Sequence, residues 1–304
     1  MSLKAIIKQH DGLLWAATRA RQAYYKACFS DRAMVERIYR AHFGRNPDLE
    51  NPKSFAEKIQ WLKLNWYDPL ACKCADKYLV RDYVRETVGE EYLNELYKVY
   101  DRVEDVRPDE LPDRFVLKGT HGSHFNIICR DRSALDWDRE MRKLRRWSGI
   151  NYYWQNREWV YRDLTPRFIA EKYLDDGTGA SLTDYKFYCF GGEPAFCQVI
   201  RNRDHGESID LFDLAWNRLP FTGLREIPPS KTPVEAPPRY AEMAELARKL
   251  AAPFPFVRAD FYSVGGQPVF GELTFFPQSG LGSFTPEKYD REVADRLILP
   301  EKRG

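Results

Sequence analysis

Two strand-like segments decide how this chain folds: Val257-Arg258-Ala259-Asp260-Phe261-Tyr262 and Val269-Phe270-Gly271-Glu272-Leu273-Thr274. Side chains alternate along a strand, so Arg258 and Asp260 share one face of the first segment. For the same reason, Glu272 and Thr274 share one face of the second. The turn-forming run 264–268 lies between the segments and predicts a hairpin. A five-residue loop there would set Asp260 directly opposite Glu272, with their β-carbons about 5 Å apart.

This facing pair of carboxylates predicts a metal site. Two carboxylates at that distance repel each other unless a cation lies between them. Oxygen ligands suit Mg²⁺ that carries phosphates, and Arg258 beside them suits a phosphorylated substrate. A surface hairpin whose charges face water would explain the same residues.

Length and charge exclude some classes of function. With 304 residues and a mass of 35.7 kDa, the chain can bury a full core and form two or three lobes. Its 43% hydrophobic and 30% charged residues are typical of a soluble globular protein. The net charge is only +2, so we expect no nucleic-acid partner. The sequence assigns no oligomeric state.

The sequence predicts a cytoplasmic protein. Charged and polar residues interrupt every apolar run near the N-terminus, which argues against a signal peptide, and no segment approaches the length of a membrane span. The six cysteines lack the spacing of a disulfide framework or a zinc site. Four of them lie in apolar segments and are expected to be buried thiols in a reducing compartment.

The order of segments predicts an α+β fold, with helices around several antiparallel hairpins. We expect helices over residues 1–48, after Ser54, from Asp76 and over 239–251, and a loop over the proline-rich run 226–238. The expected domains are an N-terminal helical extension (1–48), a helical and mixed lobe (49–110), a central lobe (111–175) and a C-terminal lobe with the metal hairpin (176–304).

A lysine and a glycine-containing loop form a second candidate site. Lys118 closes a predicted strand and is followed by Gly119-Thr120-His121-Gly122-Ser123. Glycines allow close backbone approach, so the loop can cradle phosphate oxygens while Lys118 neutralises their charge. The loop does not match the Walker pattern.

Three more residues stand out by their position. Glu171 lies at a strand end, where it can accept a hydrogen bond from an adenine amino group or extend into solvent. Lys186 lies in the middle of a long apolar strand and therefore needs an anionic partner. Lys77 lies in the first turn of a predicted helix, where a cation is either solvated or directed at a ligand.

The stretch 138–162 is rich in arginine, tryptophan and tyrosine. Basic residues mixed with aromatic ones can bind a nucleic acid or a glycan. An amphipathic helix with a solvated basic face explains the same residues.

The ordered set of these residues resembles the ATP-grasp superfamily. Three segments closely match one branch of this superfamily, the TupA-like ATP-grasp family, which is named for teichuronopeptide biosynthesis. The similarity spans about residues 50 to 290. The segments are Asn51-Pro52-Lys53-Ser54-Phe55-Ala56-Glu57-Lys58-Ile59-Gln60-Trp61, Asp184-Tyr185-Lys186-Phe187 and Gly271-Glu272-Leu273-Thr274-Phe275-Phe276-Pro277.

This resemblance implies the ATP-grasp fold, in which a nucleotide is held between two α+β lobes, and it implies ATP and Mg²⁺ as cofactors. By this resemblance, phosphates would be bound by Lys77, Lys118 and the loop residues Gly119, His121, Gly122 and Ser123. Adenine would be held by Glu171 with the backbone of Lys172 and Leu174, and ribose by Asp175 or Asp176. Lys186 would contact the γ-phosphate, Arg258 the transferring group, and the metal would be held by Asp260, Glu272 and Thr274. Thr274 departs from the family pattern, which has Asn there, so two full metal sites are in doubt.

The activity that the resemblance implies is that of a carboxylate–amine ligase. ATP would convert a carboxylate to an acyl phosphate, and an amine would then form an amide. We expect the carboxylate to belong to a small molecule, or to a surface polysaccharide or its precursor, with Arg201 and Arg203 as candidates to hold it. A glycosyltransferase, a non-catalytic ATP-binding protein and a kinase remain alternatives.

Overall fold

The structure is a computed structural model and describes residues 11–177 and 181–302. The chain divides into two compact units. Unit 1 comprises the described residues up to Ile38, together with Asp76–Tyr78 and Glu95–Tyr173. Unit 2 comprises Tyr39–Ala75, Leu79–Asn94 and the described residues from Leu174 onward. The four domains expected from the sequence stay a prediction.

The α-helices of the described residues are α1 (Asp11–Cys28), α2 (Asp31–Phe43), α3 (Phe55–Asn65), α4 (Pro69–Ala75), α5 (Val80–Thr87), α6 (Trp137–Ser148), α7 (Tyr153–Asn156), α8 (Tyr240–Ala251) and α9 (Glu287–Arg296). The strands are β1 (Leu96–Tyr100), β2 (Phe115–Gly119), β3 (Asn126–Cys129), β4 (Phe168–Lys172), β5 (Asp184–Phe190), β6 (Glu193–Arg201), β7 (Ser208–Phe212), β8 (Thr222–Gly223), β9 (Phe256–Val264), β10 (Gln267–Thr274) and β11 (Phe284–Thr285).

Unit 1 is built on an antiparallel sheet with the strand order β1-β4-β2-β3. Helix α6 packs on it through buried Leu144 and Trp147, and the ring of Trp147 stacks on Phe125. On the opposite face of α6, Arg142 and Arg145 are exposed. The basic part of the stretch, up to Ser148, is therefore an amphipathic helix with a solvated basic face, as one of its two interpretations expects.

The N-terminal helices are tied to unit 1 by a buried arginine. Arg157 is 1% exposed, and its Nη2 donates hydrogen bonds to the carbonyls of Tyr25 and Phe29. Its Nε lies 3.2 Å from Asp31 at the start of α2, and Asp31 also accepts a hydrogen bond from Tyr153. Residues 25–31 thus pack as part of unit 1.

Unit 2 is built on a five-stranded antiparallel sheet with the order β10-β9-β5-β6-β7. Helix α8 covers one face, where Tyr240 stacks on Phe187. The other face carries Asp184, Lys186 and Tyr188, as the alternation of β5 predicts. Helix α3 covers the aromatic end of this second face, where Phe55 contacts Tyr188.

The hairpin of β9 and β10 has the predicted register but not the predicted loop. Asp260 pairs with Glu272 as expected. However, β9 continues to Val264 and β10 begins at Gln267, so the turn holds only two residues rather than five. These are two glycines with positive φ, as a type I′ turn requires. A bulge between Phe270 and Glu272 supplies the extra residue that brings the two carboxylates to the same face.

Two helix starts test the capping signals of the sequence. Ser54 caps α3 and forms a capping box with Glu57, which confirms the expected start. The expected start at Asp76 is wrong, because α5 begins at Val80 and Lys77 lies in a turn.

In unit 2, β7, β8, β11 and α9 were not predicted. Residues 226–238 form no regular element, as expected.

All six cysteines lie in the described residues and are free thiols, four of them buried, as expected. Among those residues, no helix combines the length and the apolar content needed to cross a bilayer. The first ten residues, which bear on the expectation about a signal peptide, lie outside the described part of the chain.

We predict that Glu57→Gln lowers the free energy of unfolding by about 2–3 kcal/mol at pH 7. Burial alone would raise the pKa of Glu57, but hydrogen bonds from Arg45 and from the backbone N–H groups of Ser54, Asp48 and Lys53 outweigh it and lower the pKa from 4.5 to about 2. Because the pKa is lower in the folded chain, this stabilisation is present above pH 4.5 and is lost as the pH falls through about 2.

Urea unfolding of wild type and variant at pH 7 and pH 3 measures this effect. The difference in stability should shrink at the lower pH. Exposed Glu235→Gln is the control and should change stability by less than about 0.5 kcal/mol. A difference for Glu57→Gln that is independent of pH would contradict the prediction.

Candidate active site

The centre of the site in unit 2 is the carboxylate of Asp260, which is 3% exposed. Arg258 donates to both of its oxygens, at 2.7 Å from Nε and 2.6 Å from Nη2. Lys186 on the neighbouring strand β5 donates to Asp260 as well. Lys186 and Arg258 are themselves only 6% and 8% exposed, so one carboxylate is shared by two buried cations.

The charges continue on the other side of Lys186. Its ammonium lies 3.2 Å from Asp184, which is 5% exposed and also accepts a hydrogen bond from Arg203 at 2.7 Å. The expectation that Lys186 has an anionic partner is confirmed. With Glu272, the side chains form a chain in which three cations and three anions alternate, and its formal charge is zero.

Glu272 and Thr274 form the more open end of this charge chain. Glu272 is 40% exposed, and Arg258 Nη2 lies 3.4 Å from its carboxylate and 3.0 Å from the hydroxyl of Thr274. The Thr274 hydroxyl donates to Glu272 at 3.0 Å. A guanidinium nitrogen thus lies among the oxygens of three predicted metal ligands.

These oxygens fit one kind of metal better than others. Within the described residues, no group of three or more His, Cys, Asp or Glu could hold a metal ion by itself. Two carboxylates and a hydroxyl suit Mg²⁺, which keeps several waters and takes further oxygens from substrate phosphates. The donor set fits a metal that arrives with its phosphates rather than a permanently bound one.

Sequence reasoning missed Tyr262, which lies on the same face of β9 as Asp260. Burial raises the pKa of its phenol well above the usual value, and the carboxylates of Asp184, Glu272 and Asp260 raise it further. Because Tyr262 lies two residues after Asp260, the alternation of side chains along the strand could have identified it as facing the site. Burial alone would lower the pKa of Arg258, but Asp260 outweighs it and the pKa is raised.

In unit 1, Lys118 and Glu171 contact each other. The sequence assigned them to phosphate and adenine, and the structure joins Lys118 Nζ to Glu171 Oε2 at 2.6 Å. They lie on neighbouring strands β2 and β4. The side chain of Glu171 is 7% exposed and that of Lys118 is 25% exposed. The pair is therefore open to solvent mainly at the lysine.

The loop after Lys118 is held by the segment Asp76–Tyr78. Lys77 Nζ donates to the carbonyl of Gly122 at 2.6 Å, and the Thr120 hydroxyl donates to Asp76 at 2.9 Å. Lys77 therefore binds the loop that was predicted to cover phosphates, and its ammonium lies at that loop.

His121 points into the core of unit 1. It is 2% exposed, its ring packs against Phe125, and its Nε2 lies 2.9 Å from the carbonyl of Trp147. Burial lowers its pKa. A Cβ on Gly119 would lie 2.9 Å from the Cβ of Phe125, and a Cβ on Gly122 would lie 2.9 Å from its ring, so packing requires glycine at both positions. The side chain of His121 thus anchors the loop, and its expected role toward phosphates stays a prediction.

The remaining predicted residues lie at the end of β4, just after it, or in the loop after β2. The backbone N–H of Lys172 already donates to the carbonyl of Glu95 at 2.9 Å, so it is not free for an adenine ring. Leu174 is half-buried, and Asp175 and Asp176 are exposed. Ser123 is half-buried in its loop.

Comparisons with known proteins add the following. The sequence matches a family model described as TupA-like ATPgrasp over residues 57–298. A comparison with curated proteins finds no match. Among similar solved structures is D-alanine–D-alanine ligase from Bacillus anthracis complexed with ATP, which is 17% identical, with 67% of this chain and 55% of that chain covered and a TM-score of 0.38.

Two other similar structures are also ligand complexes. The ATP-grasp ligase PsnB complexed with minimal precursor, Mg and ADP is 13% identical, with 80% of this chain and 65% of that chain covered and a TM-score of 0.40. N5-carboxyaminoimidazole synthase from Aspergillus clavatus, in complex with ADP and a ribonucleotide, is 12% identical, with 67% and 44% covered and a TM-score of 0.37. The chain thus spans about half to two thirds of the length of these proteins.

We predict that Asp260→Asn lowers the free energy of unfolding by about 3–5 kcal/mol, because it leaves two buried cations with too little negative charge. Glu272→Gln should cost less than about 1 kcal/mol, because its carboxylate is partly solvated. Urea unfolding of the two variants measures both values. Equal losses would show that the charge chain is not centred on Asp260.

Proposed function

Because the chain belongs to the TupA-like ATP-grasp family, we propose that it is an ATP-dependent carboxylate–amine ligase. It would join an amino acid or another amine to a carboxylate of a surface polysaccharide or its precursor. The observation that supports the proposal is the charge chain of unit 2, in which Lys186 and Arg258 lie on one sheet face with the oxygens of Asp260, Glu272 and Thr274. Six free cysteines support a cytoplasmic location, where ATP is available.

In unit 2 we assign the metal and the reacting phosphate. Asp260, Glu272 and Thr274 would hold Mg²⁺, which when bound neutralises charge on the phosphate oxygens. Lys186 would contact the γ-phosphate and Arg258 the transferring group. Lys186 is held in place by Asp260, so its position needs little reorganisation when charge develops in the transition state. Arg258 Nη2 lies among the oxygens assigned to Mg²⁺, so the guanidinium would have to move aside when the metal binds.

In unit 1 we assign the rest of the nucleotide. Lys118 and the loop 119–123 would bind phosphates, and Glu171 would accept from the adenine amino group, with Asp176 near the ribose. This assignment requires the hydrogen bond between Lys118 and Glu171 to open. Lys77 and His121 would act by holding the loop, because both already bond to backbone carbonyls.

The reaction needs no side-chain nucleophile. A substrate carboxylate oxygen attacks the γ-phosphorus, the bond to the β,γ-bridging oxygen breaks, and ADP leaves. An amine then attacks the acyl carbon, phosphate leaves and the nitrogen loses a proton, which gives the amide. The residues of the chain bind, align and exclude water, since water would hydrolyse the acyl phosphate.

Arg203 is the better of two candidates to hold the substrate carboxylate. Its Nε is bonded to Asp184, while its terminal nitrogens form no hydrogen bond or ion pair with another described residue, and the side chain is 41% exposed. Its neighbour Asp184 contacts Lys186. Arg201 lies at the end of β6 and has no such link.

We predict that the protein binds ATP at least about tenfold more tightly with Mg²⁺ than without it, and that it does not bind UDP-sugars. Glu272→Gln should remove the effect of Mg²⁺ and keep the fold, because its carboxylate is a metal ligand and only a minor partner of Arg258. Calorimetric titration with ATP and UDP-sugars, each with and without Mg²⁺, measures this.

Exposed Glu193→Gln is the control for that titration and should behave as wild type. Retained Mg²⁺-dependent ATP binding in Glu272→Gln would refute the metal assignment. Binding of a UDP-sugar without ATP would favour a glycosyltransferase. ATP binding without ADP release, across a screen of carboxylates and amines, would favour a non-catalytic protein, and a stable phosphoester product would favour a kinase.

We predict that Arg203→Lys raises KM for the carboxylate about tenfold or more and leaves kcat nearly unchanged. Lysine keeps the charge beside Asp184 but lacks the terminal nitrogens that would bind the substrate. Initial rates of ADP release against carboxylate concentration separate the two constants. Arg201→Lys is the matched control, and an equal effect of both variants would contradict the assignment of Arg203.

A further inference from the structure

A polar cavity of about 570 Å³ lies within unit 2. It is lined by the chain that leads into α3, by the first turn of α3 and by the segment Ser283–Arg291. The first two regions include Asn51, Lys53, Ser54 and Glu57, which belong to a segment quoted above for its family resemblance and to which the ligase reaction assigns no role. Its volume falls in the usual range of small-molecule sites, about 300–1,000 Å³.

Two carboxylates form the buried acidic part of the lining. Glu57 is 4% exposed and its oxygens accept from Arg45 and from three backbone N–H groups, which fills its acceptor sites. Asp290 is 3% exposed and accepts one hydrogen bond on each oxygen, from the N–H groups of Phe55 and Phe284. Each oxygen of Asp290 keeps a lone pair, so Asp290 can accept from a ligand hydroxyl.

Three cations also line the cavity. Lys53 is exposed, and its ammonium forms no hydrogen bond or ion pair with another described residue. Arg45 and Arg291 are each held by one carboxylate, Glu57 and Glu287, and are 56% and 67% exposed. Each guanidinium keeps further donors. The donors of this lining are solvated and partly free, whereas its carboxylates are mostly used to hold backbone.

Aromatic rings complete the wall. Phe43 lines the cavity half-buried, and its ring packs at 4.4 Å on Tyr39, which is 1% exposed. The ring of Phe43 is thus fixed in place while part of it remains accessible. A fixed aromatic ring beside hydrogen-bonding side chains suits a ligand that has both an apolar C–H face and hydroxyl groups, which is the chemistry of a sugar ring.

We propose that this cavity binds an acidic saccharide. The sugar ring would pack on Phe43, a hydroxyl would donate to Asp290, and a carboxylate or phosphate of the sugar would pair with Lys53, assisted by Arg45 and Arg291. A neutral sugar would leave Lys53 unpaired, and a simple cation would meet Glu57 with its acceptor sites already filled.

The cavity is connected to the charge chain of unit 2 through two rings. Phe284 lines the cavity, and its ring lies 5.9 Å from that of Tyr188. Tyr188 is two residues from Lys186, on the same face of β5. If the proposed ligase function is right, the saccharide is a unit of the glycan whose carboxylate is amidated. That identification rests on the proposed function, whereas saccharide binding itself does not.

The test uses the full chain and four sugars: glucuronate, galacturonate, glucose 6-phosphate and glucose. The first and third differ from glucose only in the group at carbon 6. Saturation-transfer NMR and titration at millimolar concentration should show binding of an acidic sugar and at least about tenfold weaker binding of glucose. Binding of glucuronate or galacturonate would show that the site recognises a carboxylate, and binding of glucose 6-phosphate would show that it recognises a phosphate. Absence of binding by all three acidic sugars would overturn the proposal.

Lys53→Met tests the site, because the residue is exposed and its side chain supports no other residue that the structure describes. It should weaken binding of the acidic sugar about tenfold and bring it close to that of glucose. Lys288→Met is the matched control, since Lys288 lies in the same segment as Arg291 but does not line the cavity. Equal effects of the two variants, or none from Lys53→Met, would overturn the proposed site.

The two proposals fail separately. Mg²⁺–ATP binding of Lys53→Met should equal that of wild type, because no nucleotide ligand is assigned to the cavity. Acidic-sugar binding without any ADP release would leave the cavity proposal standing and reject the ligase. ADP release that depends on a carboxylate, with no sugar binding, would support the ligase and reject the cavity proposal.

Discussion

The buried carboxylate of Asp260 is the constraint on which the architecture of unit 2 depends. Lys186 and Arg258 are both removed from water, and such burial is costly unless an anion is held against each of them. Asp260 contacts both only because β5, β9 and β10 are paired in one register, with Lys186 and Glu272 on either side of it. A shift of one residue would turn these charges toward the apolar face under α8.

The sequence predicted the α+β ATP-grasp fold and the family, and both are confirmed by the family match. It also predicted those features of the site that depend on local patterns, such as the cap at Ser54 and the shared faces of β5 and β9. It failed where a partner distant in sequence decides the outcome. The turn at Gly265 and the bulge at Gly271 together give the expected register, and alternation alone cannot distinguish them from a longer loop. Nor does any local signal show that Lys118 pairs with Glu171.

The two groups of ion pairs differ in how easily a ligand can rearrange them. The Lys118–Glu171 pair is partly solvated, and such pairs contribute at most about 1 kcal/mol, so a nucleotide could separate them at small cost. The bonds of Asp260 to Lys186 and Arg258 are buried, and breaking them would leave uncompensated charge. A ligand should therefore separate Lys118 from Glu171 at small cost while Lys186 stays against Asp260, and moving Arg258 aside for Mg²⁺ should cost more.

The same distinction separates folding from binding in the proposed saccharide cavity. Glu57 and Asp290 both hold the backbone at the start of α3, through the N–H groups of Ser54 and Phe55. The presence of Glu57 in the lining is therefore explained by the fold alone, whereas Asp290 keeps a lone pair on each oxygen that a ligand hydroxyl can use. Lys53 is different, because its backbone N–H serves the turn while its ammonium serves no other described residue. In the proposed site, the free charge of Lys53 rather than the buried charges would make the cavity selective for an anion.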